Sequence, residues 1–314
     1  MLRGNCVSPT SRGLEFNMIE FIIATILLLN PILPSAAATT DYFSFDNQNI
    51  GPQKVENGNL GVKLTASNFF VQDTDSEKVL YSQKENEKAP IASLTKLMTA
   101  LVFLENNPGW EKTVIMEQID ETQGAYPHIY RGESVTVANL FNTMLVSSDN
   151  NSAKALVRVS KLSAAEFIVQ MNEKAKENGL KNTKFFDVTG LSSKNISTAS
   201  EISELLMLAL EKEEIKNALT KKGYNFSILN NEKSRSIYTT NRLLESFLNS
   251  DGHGYEIIGG KTGFLPEAGG CLAVVVEKDG HKIISVILGS DNMETRFEDM
   301  KALVDWIYLN YKWN

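Results

Sequence analysis

Three short groups of polar residues lie far apart in the 314-residue chain and could act on one substrate. They are Ser93-Leu94-Thr95-Lys96, Ser148-Asp149-Asn150 and Lys261-Thr262-Gly263. Each group alone is unremarkable, because serine and aspartate often begin helices and glycine-rich stretches are often turns. All three in this order are much harder to explain by chance. We therefore interpret them as parts of a single site.

Ser93 and Lys96 stand three residues apart at the predicted start of a helix. That spacing puts both side chains on one face, with about 5–6 Å between their β-carbons. A serine hydroxyl is a weak nucleophile until a base removes its proton. A lysine can be that base only if burial or a nearby cation lowers its pKa. The pair predicts acyl transfer, in which the helix N-terminus also favours developing negative charge.

The second group follows an apolar run and precedes a predicted helix. Ser148 could pass a proton between Lys96 and a leaving amine, because a hydroxyl both donates and accepts. Asn150 could hold either Lys96 or an amide of the substrate.

The third group has glycines on both sides, which suits an edge strand that a peptide-like substrate approaches closely. Lys261 could bind negative charge and lower the pKa of Lys96 across the site. Thr262 could hydrogen-bond a terminal carboxylate, and Gly263 would leave room for the substrate backbone.

The elements that must position these groups follow from the apolar pattern. Strands are predicted at 68–72, 78–83, 271–277 and 282–288, the last two joined through Asp279-Gly280. Helical periodicity begins at Ser93 and recurs at 137–145, 151–160, 164–178, 199–211 and 296–311. This order favours an α/β (α+β) fold, with an antiparallel sheet built from N- and C-terminal strands, helices packed on it, and a central helical lobe. We expect the active site between the sheet and the lobe.

The N-terminal segment predicts export. Within 1–38, an apolar stretch from Phe21 to Leu29 is followed by two prolines and three alanines, as in a cleaved signal peptide. An uncleaved membrane anchor is the alternative, although such an anchor needs about 20 apolar residues. Translation could start at Met1 or at Met18. Residues 39–66 are polar and are expected to be a flexible lead-in, before one catalytic domain over 67–314.

Composition argues against several classes of protein. The net charge of −7 argues against nucleic acid as a partner, because binding it normally requires a basic face. The histidines at positions 128, 253 and 281 share no motif, and neither they nor Cys6 and Cys271 have the spacing of a metal site. We therefore expect no metal and no cofactor.

The three groups together resemble those of the low-molecular-weight penicillin-binding proteins, which act as D-alanyl-D-alanine carboxypeptidases and endopeptidases. The similarity extends from about Ser67 to the C-terminus and includes APIASLTKLMTALV, GESVTVANLFNTMLVSSDNNSAKAL, TKFFDVTGLSSKNISTASEISEL and GGKTGFLPEAGGCLAVVV. It implies a β-lactamase- or transpeptidase-like fold, peptidoglycan stem peptides as substrate and β-lactams as covalent inhibitors. It also implies a periplasmic or extracytoplasmic location, with membrane association possible through the N-terminal segment.

The resemblance also implies the roles of the residues that transfer protons and acyl groups. Ser93 would be the acylated nucleophile, Lys96 the general base, and Ser148 with Asn150 the proton-relay group. Asp149 departs from the family pattern, in which this position is often Gly or Ala.

The remaining implied roles concern substrate binding. Lys261 and Thr262 would form a carboxylate site, and the backbone N–H groups of Ser93 and Phe264 an oxyanion hole. Arg296 falls where the family has an arginine that binds the terminal carboxylate of the substrate.

Four other functions are weighed against a carboxypeptidase. An endopeptidase uses the same chemistry on cross-linked peptides, and the sequence does not separate the two. A class A β-lactamase needs a glutamate-activated water, but Glu201 and Glu204 have no asparagine four residues later. A non-catalytic scaffold usually lacks a motif residue, and all are present here. A protease for ordinary L-peptides is disfavoured because no Ser/His/Asp set can be assembled.

Overall fold

The computed structural model describes residues 51–59, 61–122 and 127–313. The predicted signal segment 1–38 and the first part of the lead-in lie outside these residues. Within the described ranges, no helix is both long enough and apolar enough to cross a lipid bilayer.

The described residues form short and long strands and seven α-helices. The strands are β1 Gln53–Lys54, β2 Asn68–Asp73, β3 Val79–Gln83, β4 Ala89–Pro90, β5 Thr113–Ile115, β6 Ser134–Thr136, β7 Ile196–Ser197, β8 Gly223–Ser227, β9 Ser234–Tyr238, β10 Tyr255–Leu265, β11 Gly269–Lys278, β12 His281–Ser290 and β13 Tyr311–Lys312. The helices are α1 Thr95–Glu105, α2 Val137–Val146, α3 Asn150–Val159, α4 Ala164–Glu177, α5 Ala199–Leu210, α6 Glu213–Leu219 and α7 Thr295–Asn310.

The main sheet has five antiparallel strands in the order β10-β11-β12-β2-β3. The N-terminal strand β2 pairs with the C-terminal strand β12, so the two ends of the domain share one sheet, as the sequence predicts. Strand β10, which carries Lys261-Thr262-Gly263, lies at one edge. That edge position leaves one side of the strand free of a neighbouring strand in the sheet, which a peptide substrate requires.

Both faces of the sheet are covered, which explains the apolar runs at 271–276 in β11 and at 283–288, apart from Ser285, in β12. In β11, Ala273 and Val275 face the core shared with the central helices, whereas Leu272 and Val274 face the core formed with α7. The two apolar runs, predicted as strands by sequence alone, are therefore buried on both sides.

Helix α1 lies inside the molecule. All its residues from Thr95 to Phe103 are buried, so the polar residues among them are held as firmly as the apolar ones. Helix α3 begins where the Asp149 carboxylate caps it, accepting a hydrogen bond from the Ser152 N–H at 2.6 Å. This cap fixes Ser148 and Asn150 on either side of the helix start.

The elements for which the sequence predicted bounds agree with the structure to within one or two residues. The 11-residue strand β10 and helix α6 had no predicted bounds. The sequence did not predict the β8–β9 hairpin, in which Phe226 and Ile237 are the buried residues among mostly exposed ones. A strand pair with one buried side chain on each strand leaves too little apolar alternation to detect.

Residues 51–66 differ from the flexible lead-in expected over 39–66. Strand β1 pairs with β13 at the other end of the chain. The Asp299 carboxylate on α7 accepts hydrogen bonds from the Thr65 N–H at 2.9 Å, the Thr65 hydroxyl at 2.7 Å, the Ala66 N–H at 3.0 Å and the Ser290 hydroxyl at 2.7 Å. The second half of the lead-in is therefore part of the domain.

We expect Asp299→Ala to destabilise the domain by roughly 2–3 kcal/mol, because the buried donors on Ala66 and Ser290 lose a charged acceptor, as do the partly buried donors of Thr65. Urea unfolding of the purified variant measures this. Glu298→Ala is the matched control, since Glu298 is exposed on the same turn and pairs only with Lys301 in the described structure. Equal unfolding midpoints for the two variants would contradict the role of Asp299.

Candidate active site

A cleft of about 200 Å³ brings the three sequence groups together. It lies between edge strand β10 and the helical lobe, which is formed by helices α1 to α6 between β3 and β10 in the chain. Seven of the nine residues predicted from sequence line it: Ser93, Ser148, Asn150, Thr262, Gly263, Phe264 and Arg296. The other two, Lys96 and Lys261, are 0% and 1% exposed. Their amines form hydrogen bonds with the hydroxyls of Ser93 and Ser148, respectively, which line the cleft. The prediction that these distant segments converge is confirmed in geometry.

A larger groove of about 730 Å³ lies on the other side of loop 187–192. Its walls include Ile119, Val157 and Ile168. The lysine that lines it, Lys154, donates to the Glu121 carbonyl and to neither of the lining serines, Ser163 and Ser192. Size alone would select this groove, but chemistry selects the smaller cleft.

The Lys96 amine has three partners. Its Nζ lies 3.0 Å from the Ser93 hydroxyl, 2.7 Å from Oδ1 of Asn150 and 2.6 Å from the backbone carbonyl of Thr189. The two carbonyl oxygens can only accept hydrogen bonds. A neutral amine therefore donates its two N–H groups to Asn150 and Thr189, and its lone pair is left facing the Ser93 hydroxyl. The arrangement can remove the serine proton.

Burial is the main reason why Lys96 can be neutral. Desolvation lowers the pKa of Lys96 to about 7, against the opposing effect of the negative charges of Asp149 and Asp187. The sequence left open whether burial or a cation such as Lys261 lowers this pKa. In the structure, the principal cause is the apolar surroundings of α1.

Lys261 contacts the second group. Its Nζ lies 2.7 Å from the Ser148 hydroxyl and 3.1 Å from the carbonyl of Thr262. Its pKa is also held well below the ordinary value, first by burial and then by the positive charges of Lys96 and Arg296. The hydrogen bond of Ser148 thus runs to Lys261, not to Lys96 as the predicted relay implied. Ser148 has a left-handed backbone, with φ of 60°, at the junction of α2 and α3.

Hydroxyl and guanidinium groups form one end of the cleft. The hydroxyls of Thr262 and Thr240 lie 2.7 Å apart, and Arg296 donates from an Nη to the Gly263 carbonyl at 2.6 Å. Burial lowers the pKa of Arg296 to about 10, so the group stays charged at neutral pH. Its Nε is buried and has no hydrogen-bond partner within the described ranges. This end of the cleft suits an anionic group.

Strand β10 comes very close to the nucleophile. A β-carbon placed on Gly263 would stand 3.0 Å from the Ser93 nitrogen, so only glycine lets the strand lie there without displacing its neighbours. The next residue, Phe264, lines the same cleft. The oxyanion hole expected from the N–H groups of Ser93 and Phe264 stays a prediction.

Sequence reasoning included 187–192 in the family resemblance but gave neither this loop nor Thr240 a role in the site. The loop supplies the Thr189 carbonyl to Lys96, and a backbone atom carries no sequence signature. Gly190 is the one signal that was available. It has φ of 88°, and a β-carbon there would stand 2.0 Å from the Ala92 carbonyl oxygen and 2.8 Å from the Ser93 nitrogen.

Solved structures share this fold. The crystal structure of the Streptomyces K15 DD-transpeptidase matches with a TM-score of 0.71 at 24% identity, covering 79% of this chain and 98% of that one. Penicillin-binding protein D2 from Listeria monocytogenes, in its cefotaxime-bound form, matches with a TM-score of 0.67 at 27% identity, covering 80% of this chain and all of that one. The protein therefore has the fold of the penicillin-binding DD-peptidases.

Residues 53–292 match the sequence profile of the D-alanyl-D-alanine carboxypeptidase family, peptidase family S11. This match spans more than half of the chain, and the chain belongs to that family. A D-alanyl-D-alanine endopeptidase of Haemophilus influenzae is 35% identical over 65% of this chain and 68% of its own length. A D-alanyl-D-alanine endopeptidase of Escherichia coli is 28% identical over 93% of this chain and 89% of its own length. The carboxypeptidase DacF of Bacillus subtilis is 29% identical over 79% of this chain and 63% of its own length. The resemblance found in the sequence is confirmed.

We expect acylation by a penicillin to rise with pH and to be half-maximal near pH 7, since Lys96 accepts the serine proton only when it is neutral. Below that pH the amine is protonated and its lone pair is occupied. Single-turnover rates with a fluorescent penicillin, measured from about pH 5 to pH 9, test this. A profile that is flat, or still climbing steeply at the upper end, would be incompatible with the expectation.

We expect Gly190→Ala to slow acylation on the order of 10²-fold, because the added methyl group displaces the backbone at Ala92 and Ser93. Gly179→Ala is the matched control. Gly179 also has a left-handed backbone, with φ of 75°, but nothing lies within 4 Å of an added β-carbon. It should lose stability from strain alone and keep its acylation rate, and equal rates in the two variants would contradict the close approach.

Proposed function

We propose that the protein is a serine-type D-alanyl-D-alanine carboxypeptidase that removes the terminal D-alanine of peptidoglycan stem peptides through an acyl-enzyme on Ser93. The observation that carries this proposal is the Lys96 amine, buried and 3.0 Å from the Ser93 hydroxyl. Family membership supports the substrate class.

In the acylation step, Lys96 accepts the proton of the Ser93 hydroxyl as Oγ attacks the carbonyl carbon of the penultimate D-alanine. The bond from that carbon to the terminal D-alanine nitrogen breaks, and the nitrogen takes up the proton that Lys96 accepted, so that Lys96 becomes neutral again. The Lys261–Ser148 hydrogen bond supports Ser148 as the hydroxyl that delivers this proton. Negative charge on the carbonyl oxygen would be stabilised by the N–H groups of Ser93 and Phe264, each worth on the order of 10²–10³ in rate.

Substrate binding follows the charge of the cleft. The terminal carboxylate of the substrate would lie at the end formed by Thr262, Thr240 and Arg296, with Lys261 behind them. In the second step, Lys96 accepts a proton from water as the water oxygen attacks the ester carbon. The bond from that carbon to Oγ of Ser93 breaks, and Oγ takes the proton back from Lys96, which restores the free enzyme. Asn150 would hold the amine in place during both steps.

An endopeptidase is the second candidate function. Relatives named D-alanyl-D-alanine endopeptidases in Haemophilus influenzae and Escherichia coli support it. Both reactions acylate Ser93, and they differ only in whether the leaving group is free D-alanine or a cross-linked strand.

A β-lactamase is disfavoured by the position of the acidic residues. The Glu201 carboxylate accepts hydrogen bonds from the backbone N–H of Asn182 at 2.8 Å and from the Thr183 hydroxyl at 2.6 Å. It serves as an anchor for the segment before the loop and does not line the cleft.

We further propose that the enzyme works on the outer side of the cytoplasmic membrane, after cleavage within 1–38 or anchored by that segment. The apolar stretch followed by small residues supports export. The intact mass of the protein recovered from cell envelopes distinguishes a cleaved from an uncleaved N-terminus.

We expect Ser93→Ala to abolish labelling by a fluorescent penicillin and Lys96→Ala to reduce the labelling rate by at least about 10³-fold, since the nucleophile or its base is lost. Lys154→Ala is the control, because Lys154 belongs to the same lobe but donates to the Glu121 carbonyl. Circular dichroism checks that each variant is folded. Persistent labelling of folded Ser93→Ala would show that another residue is the nucleophile.

Digested peptidoglycan incubated with the enzyme should lose one alanine per pentapeptide stem, as read by mass spectrometry. Conversion of cross-linked dimers to monomers without loss of alanine from uncross-linked pentapeptides would instead establish the endopeptidase. Ser93→Ala serves as the blank in both cases.

A further inference from the structure

The loop 187–192 is organised around the side chain of Asp187. Its Oδ1 accepts hydrogen bonds from the Thr189 N–H at 2.6 Å, the Thr189 hydroxyl at 2.7 Å and the Gly190 N–H at 2.7 Å. Its Oδ2 accepts from the Ser192 N–H at 2.7 Å. All four partners are donors, so the loop is built around an ionised carboxylate, which only accepts.

A second side chain ties this loop to the helix of the nucleophile. The Asn195 amide oxygen accepts from the N–H groups of Phe186 and Asp187 at 2.7 and 3.2 Å. Its amide nitrogen donates to the Asp187 carbonyl at 2.9 Å and to the Thr95 hydroxyl at 3.0 Å. Thr95 immediately precedes Lys96. The position of the loop is therefore fixed relative to the amine.

We propose that Asp187 is a positioning residue for the general base: by gathering the loop donors, it aims the Thr189 carbonyl at the Lys96 amine and leaves the lone pair of that amine directed at Ser93. The inference rests on the proposed function. Without this carboxylate, the Thr189 carbonyl would lose its 2.6 Å contact, and the amine could turn away from the serine.

The charge of Asp187 acts on the same amine. The titratable groups that interact with Lys96 are Asp149 at the start of α3, Asp187 in the loop, and Lys261 on β10, which in turn faces Arg296 of α7. The two carboxylates raise the pKa of Lys96, whereas burial lowers it. The hydrogen bond to the Thr189 carbonyl also favours the protonated amine. Removal of Asp187 should therefore lower the pKa of Lys96 by both routes.

The test compares pH profiles of penicillin acylation. Asp187→Asn keeps an oxygen for three of the donors but removes the charge. We expect its half-maximal pH to fall by about one unit, with a plateau rate within a few-fold of the unmodified enzyme. Asp187→Ala removes both the acceptor oxygen and the charge, so its half-maximal pH should fall and its plateau rate should drop about 10–10²-fold. Asp187→Glu keeps the charge in the wrong place, so its plateau should drop with little change in half-maximal pH.

Asp120→Asn is the matched control. Like Asp187, the Asp120 carboxylate organises its surroundings, through Arg158 at 2.8 Å and the Glu117 N–H at 2.8 Å, although Asp120 is fully buried and Asp187 only partly so. Its loss should lower the melting temperature without moving the half-maximal pH. If Asp187→Ala does not fold, Asp187→Asn and Asp187→Glu decide.

An unchanged or higher half-maximal pH in Asp187→Asn, with rates reduced equally at all pH values, would overturn the inference and make Asp187 a structural residue only. That outcome differs from failure of the proposed function. In the latter case the unmodified enzyme itself would not be labelled at any pH.

Discussion

The contact between a buried lysine amine and a serine hydroxyl is the interaction on which this molecule depends. A lysine is costly to bury because its charged form loses its hydration. Lys96 is nevertheless fully buried, in a helix surrounded by apolar residues. Its amine donates to two carbonyl oxygens, those of the Asn150 side chain and the Thr189 backbone. The amine can therefore be neutral near pH 7, and its lone pair faces the Ser93 hydroxyl.

The two lobes divide the work around that contact. The helical lobe supplies Lys96, Asn150 and, through loop 187–192, the acceptors that orient the amine. The sheet supplies edge strand β10, which approaches the nucleophile backbone at a glycine and carries Lys261 and Thr262. The pKa of the Lys96 amine is a balance, because burial lowers it and the carboxylates of Asp149 and Asp187 raise it.

Most of the fold and of the site residues could be predicted from the sequence, because they depend on side chains that recur with a clear spacing or period. The serine–lysine pair needs only one helical turn, and the buried strands β11 and β12 are continuous apolar runs. What was missed depends on backbone atoms or on long-range packing. The Thr189 carbonyl has no residue signature, and neither the Arg296 bond to the Gly263 carbonyl nor the packing of 51–66 under Asp299 could be inferred from local patterns. The sequence also left the cause of the Lys96 pKa shift open between burial and the charge of Lys261, because burial on all sides becomes visible only in the fold.

The most direct measurement is the pKa of the Lys96 amine in the free enzyme. Lysine labelled with carbon-13 at Cε gives one NMR signal per lysine, and the Lys96→Met variant identifies the signal of interest. The account predicts a titration midpoint near pH 7 for that signal. A midpoint close to the ordinary lysine value of 10.5 would mean that the amine is charged at neutral pH and cannot accept the serine proton.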